Sequence, residues 1–129
     1  MPIPAAWAPK LLSLLRLMVG LGFLQHGTMK FFGYPPPPMP MPPLDTLATI
    51  GGALELVGGI LIAVGLFTRP VAFLLSGQMA VAYFMFHAPQ GFFPASNMGE
   101  GAVLYCFVFL YLAAAGAGPW SLDAARGKP

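Results

Sequence analysis

The chain has 129 residues, of which 57% are hydrophobic and 8% charged, whereas ordinary soluble domains carry about one-quarter charged residues. Six basic and four acidic residues leave a net charge of +2 with no run of Lys or Arg, which excludes a nucleic-acid footprint. Cys106 is the single cysteine, so an intrachain disulfide, a CxxC redox pair and a cysteine-rich zinc site are excluded as well.

So apolar a chain takes lipid as its solvent, and its length allows one small domain spanning residues 1–129. The apolar stretches are Lys10–Phe32, Leu47–Phe67, Val71–His87 and Gly101–Ala117. Each is near the roughly 17 to 25 residues that cross about 30 Å of hydrocarbon. The fold expected is all-α, a bundle of four transmembrane helices.

The first stretch runs into polar and aromatic residues without an A-x-A-like cleavage site and reads as a retained helix. Arg16, Phe23, His26 and Lys30 fall on it within a stripe about 80° wide and face one interior. Alternatively Arg16 snorkels to the near interface, and Lys30 is expected to snorkel outward. In the loop over residues 33–46, Tyr34–Pro43 (YPPPPMPMPP) excludes helix and runs extended.

In the second stretch Gly51, Gly52, Gly58, Gly59 and Gly65 recur near a seven-residue interval and open a groove for a neighbouring backbone. Glu55 lies about 12 Å below the loop boundary and His26 about 9 Å below it, so an antiparallel His26–Glu55 pair is expected. Arg16 is the other partner within reach of Glu55. Thr68-Arg69-Pro70 predicts a tight reversal that makes the second and third helices antiparallel neighbours.

Gln78 and Tyr83 add polar groups on the third helix, which ends at His87 beside Pro89. The loop GFFPASNMGE then delivers Glu100 to the start of the fourth helix, where a carboxylate favours the helix dipole. Lys10, Arg16, Arg69, Arg126 and Lys128 gather at the termini and the tight turn, which places these in the cytoplasm and the two other loops outside. Trp7 and Trp120 suit an interfacial belt on the same side.

An ionisable side chain at bilayer depth needs a partner or water. His26, Glu55, Gln78, His87 and Glu100 could together line a pocket with Phe walls; equally, Arg16, His26 and Glu55 could be a lock on helix register without chemistry. No His-x-x-His or Glu-x-x-His spacing is present, and no native metal is expected.

RLMVGLGFLQHGTMKFFG at Arg16–Gly33, GGALELVGGILIAVGLFTRP at Gly51–Pro70, the His87 loop with its GFF and the terminal WSLD at Trp120–Asp123 appear in an order that resembles the DoxX/DoxD-like family of small four-helix bacterial membrane proteins. The resemblance covers about Arg16 to Asp123. It implies a four-helix membrane fold and a link to redox physiology, since some relatives are associated with thiosulfate oxidation coupled to membrane quinone or with oxidant defence. Carried over by position, Arg16, His26 and Glu55 are the family's polar residues; His26 and Glu55 are the catalytic candidates, and Arg16 with the pocket residues Gln78, His87 and Glu100 the binding ones. No cysteine is placed for sulfur transfer.

Two functions follow as expectations. One is the membrane module of a quinone-linked oxidoreductase in the bacterial inner membrane, taking electrons from a redox partner, with His26 and Glu55 bonding the quinone and passing its proton. The other is a non-catalytic accessory or assembly subunit that docks a larger membrane complex, or a further copy of itself, through its glycine grooves and Pro-rich loop. Solute transport ranks last, because four short helices leave little room for a path.

Overall fold

A computed structural model of the protein describes residues 2–129, and among them the chain is helical without strands. The four long helices are α1 (Ala8–Phe32), α2 (Thr46–Val64), α3 (Thr68–Ala82) and α4 (Glu100–Ala115). Helix α3 continues through a π-helical turn, Tyr83–His87, and a 3-10 turn, Ala88–Gln90. Pro89 lies just past the π turn; it has no N–H to give to the preceding turn, and the wider winding accommodates that loss.

Each helix turns apolar side chains outward: Met18, Val57, Phe73 and Leu104 are 64%, 58%, 68% and 63% exposed. In water that surface would be a liability; in a bilayer it is the wetted face. Helices α1, α2 and the extended α3 have the length and hydropathy of membrane spans. The 16 residues of α4 rise about 24 Å, and short helical turns at Pro94–Asn97 and Leu122–Ala125 stand beyond its two ends. The architecture is the four-helix membrane bundle expected from the sequence.

The bundle is made of two tight pairs. Between α1 and α2 the glycines are indispensable: a Cβ on Gly20 would stand 2.5 Å from the Ala63 amide nitrogen, one on Gly27 2.7 Å from that of Leu56, and one on Gly59 2.7 Å from the Leu24 Cα. Lipid tails give helices no hydrophobic reason to associate, so this close backbone approach supplies the attraction through dispersion. The glycine doublets of α2 divide their work, Gly52 and Gly59 facing α1 while Gly58 receives Leu75 from α3. Helices α3 and α4 form the second pair, where the Ser76 hydroxyl donates to the Cys106 carbonyl at 2.8 Å.

Phe23, Ile62, Leu75, Phe109 and Leu112 form the fully buried core. Its aromatic centre is an edge-to-face contact of Phe23 on Phe109 at 5.0 Å, with Tyr105 tilted on Phe23 at 5.4 Å. Such pairs add about 0.5–1.5 kcal/mol each and bind α1 to α4.

The two ends of the bundle differ. At the end holding the termini, Lys10 lies over the Trp7 ring, and the Arg126 guanidinium lies over the Phe67 ring at 4.7 Å. The expected reversal at residues 68–70 is corrected: α2 ends at Gly65 (φ 70°), Phe67 takes φ 52°, and α3 already begins at Thr68. Pro70 is tolerated because it sits in the first helical turn, where amides have no intrahelical acceptor. The exposed amides are capped from a distance, Asp123 accepting from Phe67 and Thr68 at 2.9 Å each.

At the opposite, loop end the side chain of buried Asn97 holds the α3–α4 connection. It donates to the Gly91 carbonyl at 2.8 Å and to the Tyr83 hydroxyl at 3.2 Å, and accepts from the Gly99 amide at 2.8 Å.

Candidate functional site

Towards the loop end the two helix pairs separate, and a cavity of about 930 Å³ opens above the core. That volume lies at the upper end of the range of ligand pockets, about 300–1,000 Å³. Phe23 and Met79 are its floor. Leu54 and Phe73 belong to its apolar walls, while His26, Lys30, Glu55 and Gln78 bring polar groups from three helices.

Glu55 is buried and takes both its hydrogen bonds from one donor, the Lys30 Nζ, 2.7 Å from each carboxylate oxygen. The expected His26–Glu55 pair is therefore corrected to Lys30–Glu55. The reason lies in two glycines. A Cβ on Gly52 would approach the Lys30 Cδ to 3.4 Å, and one on Gly51 would lie 3.9 Å from Nζ. Over this bare strip the lysine stem descends from its interfacial position to the carboxylate. Lys30 thus reaches inward, not outward, because a paired ammonium in the apolar wall is better satisfied than the lone carboxylate it would leave behind. It was legible in the stripe of α1, which it shares with His26, but a backbone-depth argument ignores the length of its stem.

His26 opens onto the same cavity, and its ring packs edge-on against Tyr105 at 6.1 Å. Among the described residues its ring nitrogens have no hydrogen-bond partner, in contrast to Glu55. Gln78 donates through Nε2 to the Gly51 carbonyl at 3.2 Å, which ties α3 to α2 across the cavity. Its Oε1 is buried without a partner. An orphaned amide oxygen in an apolar wall is costly, and a ligand hydroxyl would satisfy it. Tyr105, which no motif singled out, closes the side next to α4.

The other expected residues divide. His87 reaches the rim, where its Nδ1 lies 3.1 Å from the Asn97 carbonyl and its ring stacks on Tyr83, so one nitrogen belongs to the loop. Glu100 is exposed in the first turn of α4 and contributes nothing to the cavity wall, which leaves it the helix-dipole role. Arg16 is remote from the cavity and from Glu55. Buried at the terminal end, it donates to the carbonyls of Ala117, Trp120 and Ala63, which lie past or near helix C-termini. There the carbonyls carry the negative end of the helix dipoles. Sequence depth alone cannot distinguish that acceptor set from a carboxylate. Among the described residues no group of three or more His, Cys, Asp or Glu could hold a metal ion.

Asp123, the acid of the terminal WSLD, completes this lower lock outside the membrane spans. Burial pushes its carboxyl up, but the Thr68 and Phe67 amides and the nearby Arg126 outweigh that and hold it below the usual carboxylate range.

The fold and cavity define a multi-pass helical membrane protein with a polar site inside its bundle. The DoxX family model matches residues 11–88, and the chain belongs to the DoxX family. It is 43% identical to an uncharacterized protein of Haemophilus influenzae over 125 residues, covering 91% of both chains. It is also 29% identical to an uncharacterized membrane protein of Mycobacterium tuberculosis, across 95% of this chain and 85% of that one. No solved structure matches it.

Proposed function

We propose that this DoxX-family protein is the membrane module of a quinone-linked redox system in the bacterial inner membrane, with both termini and Arg69 in the cytoplasm and the cavity in the outward half of the bilayer. One observation carries the reading: a single apolar cavity of about 930 Å³ gathers an ion-paired carboxylate, an exposed imidazole that has no hydrogen-bond partner among the described residues, and an orphaned amide oxygen. Orientation is supported by the gathering of the basic residues at the terminal end.

A quinone supplies reversible two-electron, two-proton chemistry. The chain supplies the rest. Lys30 Nζ can donate to a ring carbonyl without leaving Glu55, since an ammonium has three donors. The Gln78 Oε1 would accept from a ring hydroxyl. His26 would relay the first proton to the ring through a ring nitrogen. The Lys30 ammonium would give the second proton, leaving a neutral amine hydrogen-bonded to the Glu55 carboxylate. With one cysteine the chain has no dithiol of its own, and the electrons enter from a redox partner.

The test is mass spectrometry of organic extracts from gently purified wild-type protein and from His26→Ala and Glu55→Gln variants. Wild type should retain a quinone and both variants should lose it, His26→Ala with only a small change in melting temperature, because its ring gives up one edge-on contact with Tyr105. A wild-type protein carrying only bulk lipid, and unresponsive to added quinone, refutes the reading.

A second reading, an accessory subunit, draws on the loop end, where Tyr34, Phe92 and Met98 stand 76%, 83% and 74% exposed. Stoichiometric recovery of a larger complex from mild detergent, with no quinone in it, would favour that role.

A further inference from the structure

Two kinds of glycine in the bundle contrast. Those between α1 and α2 exist because a side chain would strike backbone, as above. Gly77 on α3 and Gly101 on α4 have no such reason: a Cβ at either would meet no atom within 4 Å, yet both line the cavity. Gly51 is nearly as free, its Cβ position having only the tips of Gln78 and Lys30 nearby, at 3.6 and 3.9 Å. A helix-interior glycine is disfavoured relative to alanine, and at these positions helix packing offers nothing in return. Gly77 and Gly101 are both exposed, so what they leave open is the mouth of the cavity.

The cavity has a direction. Its polar groups lie on the α1 side, at Lys30, Glu55 and His26, and at Gln78. From there it extends between α2 and α3 past Gly77 to Leu74 and Phe73, which are 55% and 68% exposed. Gly77 lies about 14 Å along the helix from Thr68, and Phe73 about 8 Å, so this edge of the cavity faces hydrocarbon and not the aqueous interface. The α2–α3 side is open because the two helices are joined at the terminal end by the Gly65–Phe67 turn, while among the described residues the one side-chain hydrogen bond between them at the loop end is that from Gln78 to Gly51.

We infer that the cavity is a lateral slot for a chain-bearing quinone. The ring sits against Lys30, Glu55 and Gln78, and its hydrocarbon chain leaves between α2 and α3 into the bilayer, through the gap that Gly77 keeps open. This deepens the quinone reading and rests on it. It names Gly77 as the residue that selects for a chain, and it assigns entry to the membrane, with no aqueous route required.

The experiment uses the full chain in lipid nanodiscs and a benzoquinone with a ten-carbon chain ending in a diazirine, photolysed and mapped by mass spectrometry. Labelling should concentrate on Leu54, Phe73 and Leu74, and unlabelled decylubiquinone should suppress it. Gly77→Leu should reduce this labelling about tenfold or more by filling the gap, while Gly77→Ala, with its Cβ in open space, should retain it. Both variants should melt at or above the wild-type temperature, since no atom stands in the way and glycine is the poorer helix former.

Labelling that decylubiquinone suppresses but that falls on the outward faces of α1 and α4, or that ignores Gly77→Leu, overturns the slot and leaves the quinone site standing. Labelling no greater than that of a diazirine fatty acid, and not suppressed by the quinone, overturns both.

Discussion

Removing the ammonium from Lys30 is the sharpest perturbation of the site. In Lys30→Met the stem still covers Gly51 and Gly52, but Glu55 loses what is, among the described residues, the one donor to both of its oxygens, each at 2.7 Å. The Glu55 side chain is 7% exposed, so water does little to replace that donor. Breaking a buried ion pair by removing one partner costs about 3–5 kcal/mol. Lys30 is itself 28% exposed and partly screened, which places the expectation at the lower end, ~3 kcal/mol. Glu55→Gln should cost less, ~1–3 kcal/mol, because the freed ammonium can turn back along its stem to water. The double variant Lys30→Met/Glu55→Leu replaces both charges by apolar groups of similar size and should return to within about 1 kcal/mol of wild type. Reversible unfolding in mixed SDS–maltoside micelles, followed by the fluorescence of Trp7 and Trp120, measures all three. Single variants each within about 0.5 kcal/mol of wild type, or a double variant whose loss equals the sum of the singles, would refute the assignment of this pair.

Other outcomes follow from the same geometry. Asp123→Ala removes the remote cap of α3 and should cost ~1–2 kcal/mol. Because the folded carboxyl lies below its unfolded value, the stabilisation is complete above about pH 4 and disappears as pH falls through the folded value, so the wild-type melting temperature should decline towards that of the variant in acid. Arg16→Met loses the bonds to Ala117, Trp120 and Ala63 and should destabilise by ~2–3 kcal/mol, yet the folded fraction should hold as much quinone as wild type. Loss of quinone from folded Arg16→Met would return Arg16 to the binding site. Gly20→Ala should cost ~1–3 kcal/mol by forcing α1 from the Ala63 backbone, whereas Gly101→Ala should be neutral within about 0.5 kcal/mol or stabilising; thermal melts in detergent distinguish them.

Much of the architecture is legible without coordinates. Four apolar stretches of bilayer length, a proline run that excludes helix and five of the six basic residues gathered at one end, Lys30 being the sixth, leave few arrangements open, because lipid tolerates only backbone that satisfies itself. The doublets from Gly51 to Gly59 announce close packing, and Glu55 announces a polar site, since a carboxylate at that depth demands a partner. Membership of the DoxX family was legible in the order of its motifs.

Tertiary structure alone decided who that partner is. One-dimensional depth places His26 nearest to Glu55, but pairing depends on where side-chain tips meet, and a lysine stem laid over two bare glycines carries its charge well below its Cα. Arg16 and Asp123 show the same limit: their acceptors and donors are backbone groups at helix ends, which every segment possesses and no residue pattern marks. The contrast between glycines that pack and glycines that leave the mouth of a cavity open is likewise invisible in spacing, because it depends on what stands opposite each missing Cβ.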